Sequence, residues 1–352
     1  MNHHPSDIRL QATSRFSDMD YTLKFDAIFE DELYNTPPLM RVIVARANCT
    51  KHDIPRIFRL TKDFASVADF RHLRRIRDTE DGCIECIICK LGDEDDEEIV
   101  IKRLEHMFSQ ESLFSDYHSK LVPSRPPRTE HQWKASRKIW PCKYAKSNHL
   151  IQCIDGTVFT GPERVELEII VNNLIEKFSD TSTRNQSAAV IFRSNKIHGL
   201  GLTNKKAIDK DATKHSAMIA IDYVAKGSGG GHWAGHEDSE VRQLVETIQN
   251  DLDVKQSQPE DVDGEITTLP YLCTNYDVLV TEEPCIMCTM GLIQSRIRRL
   301  FYLDLSSMDA NLALEQTCYN DRAIGKFIIH RDRNLNHRME AWIIKLISKK
   351  SS

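Results

Sequence analysis

The feature that most constrains this chain is a pair of cysteines between a strand pattern and a helix pattern. The apolar run from Tyr276 to Thr281 is typical of a buried strand, and it leads into Pro284-Cys285-Ile286-Met287-Cys288. Helical spacing follows at Met287, Met290, Ile293 and Ile297. Two cysteines three residues apart at a helix start lie on one face, where the helix dipole favours thiolates. They can share a metal ion, although helical cysteines also serve as small buried apolar residues.

A histidine near the start of the preceding predicted helix supplies a third candidate ligand. Thr213 can cap that helix, and His215 lies in its first turns. Two parallel strand and helix units bring both helix N-termini to one end of a sheet. His215, Cys285 and Cys288 are therefore predicted to form a zinc site with one open position. The alternative is a histidine that is satisfied within the core.

A histidine, a glutamate two residues later and a distant P-C-x-x-C form the signature of zinc nucleobase deaminases. In that chemistry the glutamate moves a proton to the base while zinc-activated water attacks the amino-bearing carbon. Here the sequence reads His215-Ser216-Ala217, so alanine occupies the glutamate position. A methyl group cannot shuttle a proton, and such help is worth about 10²–10⁴-fold. The site is predicted to bind metal without turnover, and no catalytic residue is assigned.

Several further stretches carry a family resemblance, which covers nearly the whole chain. They are residues 215–222, 270–288, 295–302 and 335–338, with 72–77, Trp133 and Trp140-Pro141 in the N-terminal half. With these stretches the chain resembles the non-catalytic subunit of the eukaryotic heterodimeric tRNA adenosine deaminase, which makes inosine at wobble position 34. It departs from that family at Ala217, where valine is usual, at Leu303, where glycine often follows the tyrosine, and in a long acidic insertion.

The resemblance implies a cytidine-deaminase-like αβα sandwich of the α/β class, preceded by a smaller α+β RNA-binding domain. It implies a zinc ion, a catalytic deaminase subunit as partner in a heterodimer, and tRNA as the second partner. Two alternatives stay open. The chain could be a self-sufficient zinc deaminase that uses another acid, with Glu282 and Glu283 nearest in sequence, or a zinc-stabilised interaction module with no RNA role.

The domain prediction follows from length and local composition. A chain of 352 residues is too long for one comfortable core. The predicted parts are a disordered terminus at 1–20, an N-terminal α+β domain at 21–120, a basic proline-containing linker at 121–155, and a deaminase-like domain at 156–352. An insertion at 227–270, with ten acidic residues against two basic ones, is interpreted as a solvated loop.

Alternating patterns predict the elements of both domains. In the first domain, strands are predicted at 39–44 and 82–89 and a helix at 53–67. In the second, a helix opening at Pro162 precedes predicted strands at 188–192, 276–281 and 299–305. The order of strands and helices favours a largely parallel sheet covered on both faces.

Basic residues concentrate in the N-terminal half even though the whole chain has a formal charge of −5. Residues 121–150 hold seven basic side chains against one acidic, interleaved with aromatic residues that suit RNA phosphates and unstacked bases. With the resemblance, the predicted RNA contacts are Arg74, Arg75, Arg77, Lys134, Arg137, Lys138 and Lys143. The alternative is a solvated charged face.

The remaining sequence features favour a reducing compartment and no membrane. No apolar run approaches the ~18–20 residues of a membrane span, and the N-terminus has no signal-peptide pattern. Ten cysteines are too few for a disulfide scaffold, so nucleus and cytoplasm are expected. Cys83, Cys86 and Cys89 imitate a cluster motif but are interpreted as part of a buried strand.

Overall fold

The computed structural model describes residues 21–47, 53–62, 70–79, 82–110, 113–178, 186–233, 239–255, 272–304 and 323–349. The strands are β1 Tyr21–Ala27, β2 Leu39–Ala47, β3 Ile76–Asp78, β4 Ile84–Lys90, β5 Phe114–Pro123, β6 Gln186–Arg193, β7 Lys196–Asn204, β8 Asp277–Val280, β9 Arg299–Asp304 and β10 Glu340–Ser348. The helices are α1 Asp31–Tyr34, α2 Ile54–Leu60, α3 Glu97–Met107, α4 Glu130–Ile139, α5 Asn148–Asp155, α6 Gly161–Phe178, α7 Lys205–Lys210, α8 Ser216–Gly227, α9 Ser239–Lys255 and α10 Ile286–Gln294.

The chain divides into two compact units whose boundaries differ from the predicted ones. The larger unit comprises residues 1–29 and 152–352, and the smaller unit comprises residues 30–151. Strand β1, predicted in the N-terminal domain, pairs along its whole length with β10 of the larger unit. Its Leu23 and Phe25 are buried there, so apolar burial outweighs proximity in sequence. The predicted terminus at 1–20 lies outside the described residues.

The larger unit is built on a six-stranded mixed sheet of order β1-β10-β9-β8-β6-β7. Only β8–β9 and β9–β10 are parallel, so the prediction of a largely parallel sheet was wrong. A two-residue hairpin turn, Ser194-Asn195, joins β6 to β7, and both residues have positive φ, 51° and 59°. Such a turn permits only antiparallel pairing. Helix α10 provides the long crossover that the parallel β8–β9 pair needs.

Helices cover both faces of this sheet, which confirms the predicted αβα sandwich. One face packs on α8 and α10 through a buried cluster that includes Ala189, Ile191, Val278, Val280, Leu300, Ala217, Ala220, Leu292 and Ile293. Neighbouring strand residues point the other way. On that opposite face Arg299 of β9 donates to Glu163 of α6 at 2.8 Å. The larger unit therefore has a helical layer on each side of its sheet.

The acidic insertion is not a loop throughout, as residues 239–255 form α9. Its Val241, Leu244, Ile248 and Leu252 recur at helical spacing and are buried. The helix contacts β7 and α6. Its Gln249 side chain accepts from the Ile197 N–H at 3.1 Å and donates to the Asn195 carbonyl at 3.0 Å. The sequence prediction rested on the acidic composition and did not use this apolar stripe. Residues 256–270 of the predicted insertion lie outside the described residues.

The smaller unit is an antiparallel four-stranded sheet of order β3-β4-β2-β5. On one face α2 and α3 contribute Ile57 and Leu104 to a cluster with Ile43, Ala45, Cys86 and Ile88. On the other face Val42, Val44, Ile87 and Val122 pack with Phe70, Leu73, Trp140 and Cys142. This agrees with the predicted α+β composition of the N-terminal half.

The predicted linker at 121–155 is largely part of the smaller unit. Residues 121–123 complete the edge strand β5, where Pro123 is tolerated, and α4 follows. Trp140 is fully buried, and the Gln132 side chain donates to the Glu32 and Asn35 carbonyls at 2.6 and 2.7 Å. Prolines interrupt the ladder only locally, while the tryptophan supplies enough apolar area to anchor the segment.

No helix among the described residues is long and apolar enough to cross a membrane.

A network of charged side chains, buried at Asp277 and Arg299, lies between α6 and the sheet of the larger unit. The Asp277 carboxylate accepts from Arg298 and Arg299, and Arg299 also reaches Glu163. Glu166, 6% exposed, accepts from the Asn195 N–H at 2.5 Å. Burial raises the pKa of Glu166 from 4.5 to about 7, with the Asp277 and Glu163 charges adding to the rise. The ionised form of this side chain is therefore disfavoured in the folded state.

The variant Glu166→Gln should remove a pH-dependent loss of stability. Because the folded-state pKa is the higher one, stability falls as pH rises from 4.5 through about 7. The variant should therefore exceed the wild type by roughly 2–3 kcal/mol at about pH 8 and differ little near pH 5. Thermal unfolding at both pH values measures this. Glu168→Gln, on the same helix with a side chain 41% exposed, is the control; equal behaviour of the two variants would contradict the prediction.

Candidate metal centre and basic surface

Two helix N-termini of the larger unit meet at one cluster of side chains. His215 is the N-cap residue of α8, and Cys285 is the N-cap residue of α10, with Cys288 one turn later. The cap of α8 thus lies two residues after the predicted Thr213. His215, Cys285 and Cys288 are 4%, 7% and 1% exposed. The structure brings together the three residues that the sequence predicted as ligands.

The spacing of the ligand atoms fits a tetrahedral zinc ion. His215 Nδ1 lies 3.5 Å from Cys285 Sγ and 3.4 Å from Cys288 Sγ. All three ligand atoms lie within 4.8 Å of one another. Zinc bonds of about 2.0–2.1 Å to nitrogen and 2.3 Å to sulfur put tetrahedral N and S ligands about 3.6 Å apart. One imidazole and two thiols are also the donor set that zinc prefers.

Close packing of α8 on β7 fixes the position of the histidine. A Cβ atom at Gly201 would lie 2.1 Å from the Ser216 carbonyl oxygen, and one at Gly199 would lie 2.6 Å from that of Ala220. The Thr203 hydroxyl donates to the Lys214 carbonyl at 2.7 Å, immediately before His215. These residues were missed from the sequence; the signal was the G-x-G spacing within a strand pattern.

The position of the deaminase glutamate holds no acid. Ala217, 2% exposed, is packed in the same core cluster as Cys285 and Cys288. Of the acids considered as substitutes, Glu283 accepts from the Ile324 and Gly325 N–H groups at 3.1 and 2.7 Å. Glu282 is half-buried. The Glu283 carboxylate therefore holds a C-terminal turn in place, a role that the sequence did not predict.

Two of the predicted RNA contacts are engaged in internal structure. Arg77 donates to Glu85 at 2.7 Å and lies 4.3 Å from the centre of the Trp140 ring system. Arg75 donates to the Thr61 hydroxyl at 2.6 Å and to the Ile87 carbonyl at 3.3 Å. Burial lowers the pKa of Arg75. Both guanidinium groups stabilise the smaller unit, which limits what they can offer to RNA.

The other five predicted contacts are exposed and fall into two groups. Lys134, Arg137 and Lys138 lie on α4, where Lys134 forms an exposed pair with Glu130 at 2.8 Å. Arg74 and Lys143 lie on two neighbouring segments, which pair through an isolated antiparallel β-bridge between Leu73 and Cys142. Exposed ion pairs such as Lys134–Glu130 are weak. All five cations are placed where they can meet a polyanion.

Cys86 and Cys89 lie on β4, and Cys83 directly precedes it. These three cysteines do not form a metal-binding group among the described residues. Cys86 is fully buried in the apolar cluster, and burial with the nearby Asp95 raises the pKa of Cys89 to about 11. Their interpretation as strand residues agrees with this placement.

Comparison with known proteins defines the class of the larger unit. Residues 170–304 match the family model described as "Cytidine and deoxycytidylate deaminase zinc-binding region". The chain therefore contains a deaminase-type domain, with the mixed α/β fold described above.

Curated relatives are similar to this chain over most of its length. The "Probable inactive tRNA-specific adenosine deaminase-like protein 3" of Danio rerio is 25% identical, with 92% of each chain covered. The human protein of the same name is 26% identical over 77% of this chain and 75% of its own. The "tRNA-specific adenosine deaminase subunit tad3" of Schizosaccharomyces pombe is 27% identical over 80% and 76%. The predicted resemblance to the deaminase-like subunit is confirmed.

Removal of one ligand should abolish zinc binding. We expect about one zinc per purified wild-type chain and little in Cys285→Ala, with a loss of roughly 4 kcal/mol or more of unfolding free energy. Elemental analysis and thermal unfolding measure the two effects. Cys273→Ala is the matched control, because Cys273 is also buried in this cluster. The control should retain its zinc, and a Cys285→Ala chain that also retained it would refute the ligand assignment.

Proposed function

We propose that this chain is the non-catalytic, zinc-binding subunit of a heterodimeric tRNA adenosine deaminase that converts adenosine to inosine at wobble position 34. It contributes tRNA binding and supports the catalytic subunit. The observation that carries the proposal is the intact cluster of His215, Cys285 and Cys288 beside an alanine at position 217. The names of the relatives support the subunit role. The compartments stay a prediction, nucleus and cytoplasm.

The metal centre is proposed to act in stability. His215, Cys285 and Cys288 would hold the ion, and a zinc ion there would neutralise two thiolates and join the N-termini of α8 and α10. The ligands come from separate segments of the chain, so their common site restrains the fold over a long sequence distance.

The lack of a proton carrier at position 217 supports inactivity of the chain alone. Deamination needs a group that delivers a proton to the ring nitrogen and to the leaving amine. Ala217 cannot do so, and Glu283 is held by two backbone N–H groups. The alternative of a self-sufficient deaminase named Glu282 and Glu283 as substitutes; the two bonds count against Glu283, and Glu282 is half-buried. A catalytic partner must supply the reacting site.

The smaller unit is the proposed source of affinity for tRNA. A pocket for one flipped base contributes little to the binding of a whole tRNA, so phosphate contacts elsewhere are needed. Lys134, Arg137 and Lys138 project from one short helix with Trp133 and Tyr144 stacked nearby, their rings 5.8 Å apart. The alternative of a zinc-stabilised module with no RNA role predicts no salt-dependent tRNA binding.

Restoring the glutamate by Ala217→Glu should not create an active enzyme. Ala217 is 2% exposed in a packed cluster, so a glutamate there would have to displace its neighbours, and one carboxylate does not supply the contacts that hold a substrate base. Inosine formation on tRNA, assayed for the variant alone, should equal the background of the wild-type chain alone. The wild-type chain with its catalytic partner is the positive control. Robust turnover by either isolated chain would overturn the proposed division of labour.

Neutralising the basic face of α4 should weaken tRNA binding by the heterodimer. Lys134→Ala, Arg137→Ala and Lys138→Ala together should reduce the salt slope by roughly 0.7–0.9 for each phosphate that is no longer neutralised. The matched control neutralises the exposed Lys90, Lys102 and Arg103 of the same unit. Filter binding at several salt concentrations measures the affinity and the salt slope of the α4 variant and of the control. Parental affinity and slope in the α4 variant would place the RNA surface elsewhere.

A further inference from the structure

A groove of about 960 Å³ opens on the smaller unit, between α2, the segment before β3 and the segment that follows α4. Its volume lies within the ~300–1,000 Å³ typical of sites for small molecules. The groove and the cluster at the N-termini of α8 and α10 belong to different units. Nothing in the proposed metal chemistry uses the groove.

The lining of the groove is strongly cationic. Arg71, Arg74, Arg75, Arg77 and Lys143 face it with Asp78 as the one acidic member, a net formal charge of +4. Arg75 and Arg77 are held by internal partners. Arg71, Arg74 and Lys143 are exposed and form no ion pair within the described part of the chain. Three cations are thus available to an anionic ligand.

An aromatic ring forms part of the same lining. Phe58 is 41% exposed, so part of its side chain is open to a ligand in the groove. The Arg75 guanidinium carbon lies 5.3 Å from the centre of its ring. Because Arg75 is fixed by Thr61 and the Ile87 carbonyl, it supports the ring in a defined place. A supported, partly exposed ring is a surface for stacking.

Backbone hydrogen bonds fix the positions of Arg74 and Lys143 in the groove lining. The Arg74 N–H donates to the Pro141 carbonyl at 2.9 Å, and the Lys143 N–H donates to the His72 carbonyl at 2.7 Å. The Trp140 indole N–H donates to the Arg74 carbonyl at 2.6 Å. Arg74 and Lys143 therefore start from a fixed backbone. Their side chains need little rearrangement of the fold to meet a phosphate.

We propose that this groove binds an unpaired nucleotide of an RNA strand, with the base stacked on Phe58 and the adjoining phosphates bound by Arg71, Arg74 and Lys143. The assignment rests on the proposed function, since tRNA is the RNA that the complex would hold. A base-paired helix does not present a free base face, so the exposed ring favours a single-stranded segment. The ring and the cations together match both parts of a nucleotide, whereas an acidic peptide would use only the cations.

The test uses the full chain and a fluorescent uridine oligonucleotide, with anisotropy at several salt concentrations. Phe58→Ala and Phe58→Leu should each weaken binding about ten-fold, the size expected for one stacked base, with the salt slope unchanged. Arg74→Ala with Lys143→Ala should lower the slope by about 1.4. Ile99→Ala, at a 65% exposed site on α3, and Lys102→Ala with Arg103→Ala are the matched controls. These controls should bind as the wild type does.

The outcomes separate the groove from the wider proposal. If Phe58→Leu keeps its fold and binds the oligonucleotide as the wild type does, the groove assignment is wrong even when whole tRNA still binds. Equal affinity for an oligoglutamate peptide or for duplex RNA would also overturn it. If the wild-type chain in its heterodimer shows no salt-dependent binding of tRNA, the proposed function itself fails.

Discussion

The close approach of helix α8 to strand β7 is the interaction on which the candidate metal centre depends. Gly199 and Gly201 leave the space that the helix backbone occupies, and any Cβ at Gly201 would collide with the Ser216 carbonyl. With the helix seated there, its first turn begins at His215, directly opposite the start of α10. The ligand cluster is thus a consequence of backbone packing in the sheet and helix layers.

This arrangement separates metal binding from acid–base chemistry. The three candidate ligands lie at the N-termini of two helices, which the sheet topology places together. Proton transfer in a deaminase needs one further group, a carboxylate on the helix that carries the histidine. The methyl group of Ala217, at the position where the deaminase signature has its glutamate, packs in the apolar cluster with Cys285 and Cys288. The placement of the three candidate ligands therefore does not depend on an acid at position 217.

Local patterns in the sequence predicted the elements near the metal centre well, because each ligand lies beside a strand or helix with strong periodicity. The P-C-x-x-C and the histidine were sufficient to predict which side chains meet. The direction of β6 was not predictable in that way, since it depends on the short Ser194-Asn195 turn. Helix α9 was hidden by its acidic composition, although Val241, Leu244, Ile248 and Leu252 carried the helical period. Arg75 and Arg77 show a related limit, because the sequence reveals charge but not the internal partners that engage it.

The pairing of β1 with β10 has a consequence for how the larger unit forms. Tyr21 is opposite Ser348, so nearly the whole chain separates the two partners of this edge pair. Contacts of such sequence separation form slowly, because a long loop must close before they contribute. The smaller unit, with a sheet and apolar clusters of its own, lies entirely within that loop. If it folds first, it shortens the effective distance that β1 must search. The stability of the smaller unit then bears on the assembly of the larger unit.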